Sequence, residues 1–326
     1  MDFFSQTIPE QDADGAPAPA RRLDARDAVA LFDPGCFHSA GRRAHAERHR
    51  RWGDAVFYNI NRHLNYSNVC ALKCPLCAFH AVESDPRAWA LTLEQAFEKA
   101  RAEVPAGATE LHIVGGAHPS LPFSYYEELL SGLKRVLPAI HLKAFSAVEI
   151  HYFSERFGLS VGAVLDRLRA AGLDSLPGGG AEIFADRVRR RICPNKASAE
   201  QWLDVHRTAH RMGLRSNATI LYGHIETPAE RVDHLLRLRA LQDETGGFQA
   251  IIPLKFHPEN TAMSDLPRSG GVLDLQMIAA CRLILDNFDH VKAYWPSLGL
   301  KMAQAALSWG ADDLDGTVVH ERASEA

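Results

Sequence analysis

Three cysteines lie close together in the first third of the chain, and their spacing suits metal chemistry. Cys70, Cys74 and Cys77 fall within the eight-residue segment Cys-Ala-Leu-Lys-Cys-Pro-Leu-Cys. Thiols at this spacing would share one helix face, where small buried side chains are common. Pro75 disfavours a helix, because proline lacks a backbone donor and restricts the residue before it. The segment is therefore predicted to be a loop whose thiolates bind zinc or an iron-sulfur cluster.

The choice between metals depends on the remaining ligands. A structural zinc site has four protein ligands, and His80 or His63 could complete a set of three cysteines and one histidine. A disulfide framework is a weaker alternative, because the cluster is odd-numbered and Cys36, Cys193 and Cys281 are widely scattered. Three thiolates on a [4Fe-4S] cluster would leave one iron open to a substrate or cofactor. Zinc and the iron-sulfur cluster both stay open at this point.

Composition excludes several classes of protein. The chain has 326 residues, 46% of them apolar, which is enough for one large domain or two small ones. The formal net charge is 36 − 40 = −4, which does not fit a nucleic-acid-binding protein. No apolar run reaches membrane-spanning length, and Asp2, Glu10 and Asp12 stand where a secretory signal would be basic. We therefore expect a cytoplasmic protein with free thiols, no membrane span and no nucleic-acid partner.

The pattern along the chain predicts four regions. Residues 1–22 contain few bulky apolar groups and are predicted to be a disordered tail. Residues 23–52 have helical spacing and are predicted to form an N-terminal helical extension. In residues 53–318, short β-rich runs alternate with amphipathic helices, which predicts an α/β fold of the TIM-like β/α barrel type. Residues 319–326 are predicted to be a C-terminal tail.

Helix starts and strands can be placed within the predicted barrel. Capping boxes mark three helix starts, at Thr92 with Gln95, Ser198 with Gln201, and Thr227 with Glu230. A β/α barrel collects its functional groups at the C-terminal ends of its strands. The seven predicted strands are Val56–Ile60, Leu111–Val114, Leu142–Phe145, Leu173–Leu176, Asn217–Leu221, Ala250–Leu254 and Val291–Trp295.

Glycines, carboxylates and histidines follow several of these strands. Paired glycines let a ligand approach the backbone, although a tight turn has the same pattern. Glu149 and Glu182 could contact hydroxyl groups, or could instead be carboxylates that stabilise a helix N-terminus. Histidines at strand ends are better placed to line a site than histidines on helix faces. The remaining candidates at predicted strand ends are Gly115, Gly116, His118, Gly223, Glu226 and His257.

The spacing Cys-x3-Cys-x2-Cys, followed here by Ala78 and Phe79, resembles the signature of the radical S-adenosylmethionine superfamily. The resemblance implies a [4Fe-4S] cluster on Cys70, Cys74 and Cys77, whose open iron chelates S-adenosylmethionine. One electron then cleaves that molecule to methionine and a 5'-deoxyadenosyl radical. The superfamily's usual glutamate after the paired glycines is missing here, so backbone carbonyls must serve the methionine amino group. The implied cofactor-binding residues are Phe79, Gly115, Gly116, Glu149, Glu182, Gly223 and Glu226.

Longer segments resemble enzymes of the futalosine pathway to menaquinone over residues 55–321. Two sister families share much of this pattern, aminofutalosine synthase and dehypoxanthine futalosine cyclase. The segments Ile-Pro-Leu-Lys-Phe-His-Pro-Glu-Asn, Phe-Asp-His-Val-Lys-Ala-Tyr-Trp and Gly-Ala-Asp-Asp-Leu-Asp-Gly agree with the synthase. The cyclase is kept as an alternative, and a zinc-stabilised binding module without catalysis as a second one. Similar enzymes continue beyond Asp-Gly-Thr-Val-Val-His-Glu through another helical segment.

The synthase resemblance implies a specific reaction. The adenosyl radical adds to the alkene of 3-[(1-carboxyvinyl)oxy]benzoate, and rearrangement with loss of the carboxylate gives 6-amino-6-deoxyfutalosine. A reducing electron donor such as flavodoxin or ferredoxin is implied as a partner. The substrate is a dianion that needs cationic or donor groups. From strand ends we predict catalytic or substrate-binding roles for Arg62, His118 and His257, with Lys255 and Lys292 as further candidates.

Overall fold

The computed structural model describes residues 22–104 and 107–316. An N-terminal helical extension precedes the sheet and comprises α1 (Ala25–Ala30), a 3-10 turn (Pro34–Cys36) and α2 (Phe37–Trp52). The predicted extension is thereby confirmed. The predicted tails lie outside the described residues, apart from Arg22.

Seven parallel strands form the central sheet, and their order in space follows their order in the chain. The sheet curls into a half-barrel, so the predicted β/α barrel fold is confirmed. Sequential parallel strands require a crossover connection between neighbours, and helices supply most of these. The strands are β2 (Asn61–Asn65), β3 (Glu110–Val114), β4 (His141–Ala144), β5 (Ser175–Leu176), β6 (Arg215–Tyr222), β7 (Phe248–Lys255) and β8 (His290–Val291).

The first predicted barrel strand is displaced in the structure. The run predicted as Val56–Ile60 forms β1 (Phe57–Asn59), which pairs with β9 (Asp313–Gly316) in a separate two-stranded parallel sheet. The barrel's own first strand begins four residues after β1 begins, at Asn61. Its inward-facing side chains are polar, so an apolar pattern did not mark it. A bridge between Lys292 and Asp313 connects β9 to the end of β8, and β9 thus lies at the seam of the half-barrel.

The helices cover the outside of the sheet. All three predicted capping boxes are present, and a fourth, Ser146 with Glu149, begins the helix after β4. No helix in the described ranges is long and apolar enough to cross a membrane. The helices of this layer are α3 (Leu93–Glu103), α4 (Phe123–Val136), α5 (Ala147–Phe157), α6 (Val161–Ala170), α7 (Asp186–Ile192), α8 (Ala199–Arg211), α9 (Pro228–Thr245), α10 (Gly271–Ile284), α11 (Trp295–Leu298) and α12 (Leu300–Leu307).

The apolar core lies between the sheet and these helices. Outward-facing strand residues such as Leu111, Ile113 and Leu142 are almost completely buried there. The aromatic rings of Tyr126 and Phe153 pack with centroids 4.2 Å apart within this layer. Inward-facing residues are more polar than in a filled barrel, and this leaves an open interior in which a ligand can bind.

Candidate active site

A cavity of about 620 Å³ runs from the C-terminal ends of the strands into the barrel interior. Its upper end is lined by the cysteine segment and by the loops that follow β3, β4 and β5. Its lower end is lined by side chains of the strands themselves. This volume lies within the usual range of ligand pockets, about 300–1,000 Å³.

All three clustered cysteines line this cavity, in a segment without helical structure. Backbone hydrogen bonds hold the segment in place: the Cys70 N–H donates to the Ala81 carbonyl at 2.9 Å. The Ala71 N–H donates to the Ala117 carbonyl, also at 2.9 Å. We call residues 70–77 the cysteine loop. Its irregular backbone and its position at a strand end are those predicted from Pro75 and the spacing.

The three clustered cysteines share one cavity. In the described part of the chain, no group of three His, Cys, Asp or Glu side chains is arranged to hold a single metal ion. An iron-sulfur cube binds each thiolate on a different iron, so cysteines placed around one cavity can serve as its ligands. Cys70, Cys74 and Cys77 fit that ligand set.

A partly buried ammonium group lies beside the cysteine loop. Lys196 lines the cavity and forms an ion pair with Glu182. Burial raises the pKa of the Cys74 thiol to about 12. Burial acts in the same direction on Cys77, but hydrogen bonding with His80 and the charge of Lys196 bring its pKa below the ordinary value. Positive charge next to thiolates is the arrangement that stabilises them as metal ligands.

The paired glycines line the cavity next to the cysteine loop, and Glu149 holds them there. Glu149 Oε1 accepts hydrogen bonds from the Gly115 N–H at 3.1 Å and the Tyr66 hydroxyl at 2.8 Å. Its Oε2 accepts from the N–H and hydroxyl of Ser146, at 2.8 and 2.7 Å. A Cβ on Gly116 would lie 2.1 Å from the Val69 carbonyl oxygen, so any larger residue would displace the cysteine loop. Both carboxylate oxygens of Glu149 thus accept hydrogen bonds from protein groups, and Glu149 acts as the capping carboxylate of α5.

The other predicted carboxylates differ in position. Glu182 faces the cavity from a left-handed backbone conformation, with φ of +48°. Burial opposes its ionisation, but the charges of Lys196 and Arg189 bring its pKa below the ordinary value. Glu226 does not line the cavity. Its carboxylate accepts from the Gly223 N–H at 2.7 Å and pairs with Arg231, which organises the turn after β6.

The predicted substrate-binding residues are only partly brought together. His257 lines the cavity, and its Nε2 lies 2.9 Å from the Ser297 carbonyl oxygen. His118 does not line it, because its Nδ1 accepts from the Ser120 N–H at 3.1 Å within a turn. Arg62 faces away from the interior, and its Nε donates to the Glu103 carbonyl at 2.6 Å. The predicted first strand ends at Ile60, which puts Arg62 at a strand end; in β2 its alternate position points outward.

Both candidate lysines are paired with carboxylates. Lys255 lines the cavity, and its Nζ donates to Asp274 Oδ2 at 2.8 Å. Lys292 does not line the cavity. Its Nζ lies 3.0 Å from Asp313 Oδ2 and 3.1 Å from Asp315 Oδ1, between two carboxylates of β9.

The lower end of the cavity carries polar side chains from three neighbouring strands. His63, His112 and Lys143 are cross-strand partners at one level of the barrel. The rings of His63 and His112 stack with centroids 4.5 Å apart, and Lys143 Nζ lies 2.5 Å from Glu110 Oε2. Burial, reinforced by His63 and Lys143, holds the pKa of His112 well below its ordinary value, so its imidazole is neutral. Together with Asp315, these residues form what we call the deep layer.

Comparison with known proteins identifies the family. The family model described as Radical SAM superfamily matches residues 64–238, which is more than half of the chain. The chain belongs to the radical S-adenosylmethionine superfamily. A second family model, described as CofH/MqnC C-terminal region, matches residues 245–326.

Curated relatives within this superfamily cover most of the chain. The aminodeoxyfutalosine synthase of Streptomyces coelicolor is 45% identical over 308 residues, covering 91% of this chain and 80% of the relative. The Thermus thermophilus synthase of the same name is 43% identical, with 93% and 82% covered. The cyclic dehypoxanthine futalosine synthase of S. coelicolor is 36% identical, with 92% and 76% covered. A 5-amino-6-(D-ribitylamino)uracil–L-tyrosine 4-hydroxyphenyl transferase of Methanosarcina mazei lies between them at 41%, with 84% and 72% covered.

Solved structures agree on the fold. The crystal structure of methylornithine synthase superposes with a TM-score of 0.72 at 17% identity, covering 93% of this chain and 85% of that one. Membership of the superfamily implies a [4Fe-4S] cluster and S-adenosylmethionine. The predicted family and reaction class are confirmed. The alternative of a zinc-stabilised module without catalysis is therefore wrong.

Sequence reasoning missed Lys196 and the deep layer. Lys196 follows α7 in an irregular segment, away from the strand ends where a β/α barrel is expected to place its functional groups. The deep layer had a visible signal, since polar residues alternate at Asn61, His63 and Asn65 and again at Glu110 and His112. Alternation of polar residues in a barrel strand indicates a polar interior, whereas an apolar run is the usual mark of a buried parallel strand.

Proposed function

We propose that this radical S-adenosylmethionine enzyme is an aminodeoxyfutalosine synthase, which joins the adenosyl group of S-adenosylmethionine to 3-[(1-carboxyvinyl)oxy]benzoate to give 6-amino-6-deoxyfutalosine. One observation carries the proposal: a single cavity has three cysteines at its upper end and a polar deep layer at its lower end. Both reactants can therefore lie in one space, as bond formation between them requires.

Three residues are proposed to hold the cluster and several more the nucleoside. Cys70, Cys74 and Cys77 supply the thiolates, and the cluster supplies the electron that cleaves S-adenosylmethionine. The Gly115–Gly116 backbone lines the cavity and can offer carbonyls to the methionine amino group, although the Gly116 carbonyl also accepts from the Tyr66 hydroxyl at 3.0 Å. Glu182 faces the cavity at its upper end, beside the cysteine loop, and can accept from ribose hydroxyls.

The lower end is proposed to receive the carboxylates of the second substrate. Lys143 and the neutral His112 are donors that face the cavity from β4 and β3. His257 follows β7, near the other edge of the sheet, and faces the cavity from there. Charge-assisted hydrogen bonds from such groups orient a carboxylate more firmly than neutral ones. An enclosed interior also keeps water and stray hydrogen donors away from a reactive carbon centre.

Two sister activities compete with this proposal. This chain is 43–45% identical in sequence to the two aminodeoxyfutalosine synthases, but 36% identical to the cyclic dehypoxanthine futalosine synthase. The three sequence segments that separate the synthase from the cyclase all agree with the synthase. The tyrosine transferases stand closer in identity, at 39–41%, so the assay must include their substrates.

The test is an anaerobic assay of the reconstituted enzyme with a chemical reductant and S-adenosylmethionine. The benzoate enol ether, dehypoxanthine futalosine, and tyrosine with the ribityl uracil are offered separately, and products are identified by mass spectrometry. We expect 6-amino-6-deoxyfutalosine from the first substrate alone. Turnover of either of the other substrates, without turnover of the enol ether, would falsify the proposal.

The reaction also needs a source of single electrons. We propose a small reducing protein such as flavodoxin or ferredoxin for this role. Its identity is a separate matter from the reaction, because a chemical reductant can replace it in the assay.

A further inference from the structure

Positive charge is concentrated in the two segments that surround the proposed cluster. Residues 69–82 and 187–198 contain one and five Lys or Arg residues, six in total, and no Asp or Glu. The whole chain has a formal net charge of −4. These 26 residues therefore differ sharply in charge from the rest of the protein.

The two segments are joined in the structure. The Leu76 N–H donates to the Ile192 carbonyl at 3.3 Å, and Asn195 Nδ2 donates to the Leu72 carbonyl at 3.0 Å. Ile192 is the last residue of α7, so the end of this helix lies against the cysteine loop. The cysteine loop and the end of α7 are therefore neighbours in the fold.

Half of the six cations already have partners. Arg187 pairs with Glu230, and Lys196 pairs with Glu182. Arg189 is buried and donates to the carbonyls of Ala181 and Ile183. Arg189 and Lys196 therefore serve the local fold and the cavity, and the charge of Arg187, although exposed, is offset by Glu230.

The other three cations are exposed. Lys73, Arg190 and Arg191 have no ion-pair or hydrogen-bond partner for their side chains among the described residues. Lys73 lies between two cluster cysteines, next to Leu72, and Arg191 precedes Ile192, so each adjoins one of the two contacts above. Lys73 also has a φ of +49°, a left-handed conformation that is uncommon for a residue other than glycine and often marks a functional position. We call these three residues the basic patch.

We infer that the basic patch is the docking surface for an acidic one-electron donor protein. The inference rests on the proposed cluster, since an electron delivered at this patch enters next to its ligands. Opposite charges steer two proteins together and orient the encounter. A patch of three cations on an acidic protein favours a compact acidic partner, because a long polyanion would also meet the repulsive remainder of the surface.

Charge reversal tests the inference without any turnover. The variant Arg190→Glu/Arg191→Glu changes the last turn of α7, and Lys73→Glu changes the loop itself. A matched control is Arg101→Glu/Arg135→Glu, which reverses two exposed arginines in the last turns of α3 and α4. Those turns precede β3 and β4 and therefore lie at the opposite end of the barrel from the cysteine loop.

The readout is the rate of cluster bleaching without substrate, measured with a reduced bacterial flavodoxin and with reduced methyl viologen. Steering effects span about 10- to 1,000-fold, so we expect the α7 variant to lose about tenfold or more of its flavodoxin rate at low salt. The loss should shrink as salt is added, because exposed charges are screened. With methyl viologen, a small cation, the rate should be unchanged or higher.

Calorimetric titration of flavodoxin gives a second readout that does not depend on electron transfer. Its dissociation constant should rise about tenfold in both patch variants and stay constant in the control. A wild-type flavodoxin rate in the patch variants, an equal loss in the control, or equally tight binding of RNA by the patch would overturn the inference. If the wild-type protein holds no cluster that either reductant bleaches, the proposed function fails instead.

Discussion

At the scale of single residues, this site uses carboxylates for two different purposes. Glu149 lies where a ligand-binding carboxylate was predicted, but its two oxygens accept four hydrogen bonds from the protein. Glu182 lies in a strained backbone conformation and faces the cavity with Lys196 beside it. The hydrogen-bond partners distinguish the two roles, whereas residue type and strand-end position do not.

Replacement of Glu149 by leucine should therefore destabilise the fold. The backbone donors of Gly115 and Ser146 would lose their acceptor, and each unsatisfied group costs about 1–3 kcal/mol. We expect the free energy of urea unfolding to fall by about 3 kcal/mol or more. The exposed Glu128 on α4 is the control, and Glu128→Leu should change it by less than about 0.5 kcal/mol. Equal stability of the two variants would show that Glu149 is not structural.

Lys143 should determine affinity for the dianionic substrate. A hydrogen bond to a charged group is worth about 1.5–3 kcal/mol, so Lys143→Met should raise the KM for the enol ether roughly 10- to 100-fold. Binding of S-adenosylmethionine, measured by equilibrium dialysis, should be unaffected. Lys143→Met/Glu110→Gln serves as the control for the carboxylate that loses its partner. If Lys143 binds the ring carboxylate, an analogue without that carboxylate should have the same KM with the variants as with the wild type.

At the scale of elements, local signals were predictable and long-range ones were not. The cysteine loop and three capping boxes depend on residues a few positions apart, and all were found from the sequence. The position of β1 depends on β9, more than 250 residues later, so β1 was mistaken for a barrel strand. The error placed Arg62 at a strand end and hid the deep layer, because strand register decides which side chains face inward.

The junction of β8 and β9 depends on one buried lysine. Lys292, Asp313 and Asp315 are each less than 9% exposed. Removing one partner of a buried ion pair leaves an uncompensated charge and costs about 3–5 kcal/mol. We expect Lys292→Met to destabilise the protein by this amount in urea unfolding.

Two further variants test the assignment of this effect to charge. Lys292→Met/Asp313→Asn/Asp315→Asn should recover much of the loss, because the uncompensated carboxylates are then neutral. Lys301→Met on α12 removes an exposed lysine and should have little effect. Failure of the triple variant to recover stability would indicate that packing, not charge, holds the seam.

At the scale of the whole molecule, buried histidines in the outer layer of the barrel make the stability of the protein depend on pH. His206 and His210 lie either side of Ser216, with ring nitrogens 2.8 Å from its hydroxyl. His234 stacks on Phe184 with centroids 3.9 Å apart. Burial lowers the pKa of His210 to about 4 and that of His234 to about 3. These side chains are therefore neutral in the folded protein at neutral pH.

The direction of the pH dependence follows from these lowered values. Above pH 6.5 neither the folded nor the unfolded chain protonates these residues, so stability does not depend on them. As pH falls below 6.5 the unfolded chain takes up protons that the folded chain does not, and stability is lost down to about pH 4 for His210 and about pH 3 for His234. At pH 5 the loss should be about 2 kcal/mol from each residue, since one unit of pKa corresponds to about 1.4 kcal/mol.

Glutamine at these positions cannot take up a proton. It should therefore weaken the dependence of the unfolding free energy on pH, even though it lowers stability at every pH. We expect the difference in unfolding free energy between pH 7.5 and pH 5 to shrink by about 2 kcal/mol in His210→Gln and in His234→Gln. His45→Gln replaces an exposed histidine on α2 and should leave the difference unchanged. Because each comparison is made between two pH values of the same variant, the lost hydrogen bonds cancel. A wild-type difference in both variants would mean that the folded protein binds protons at these histidines as readily as the unfolded chain does.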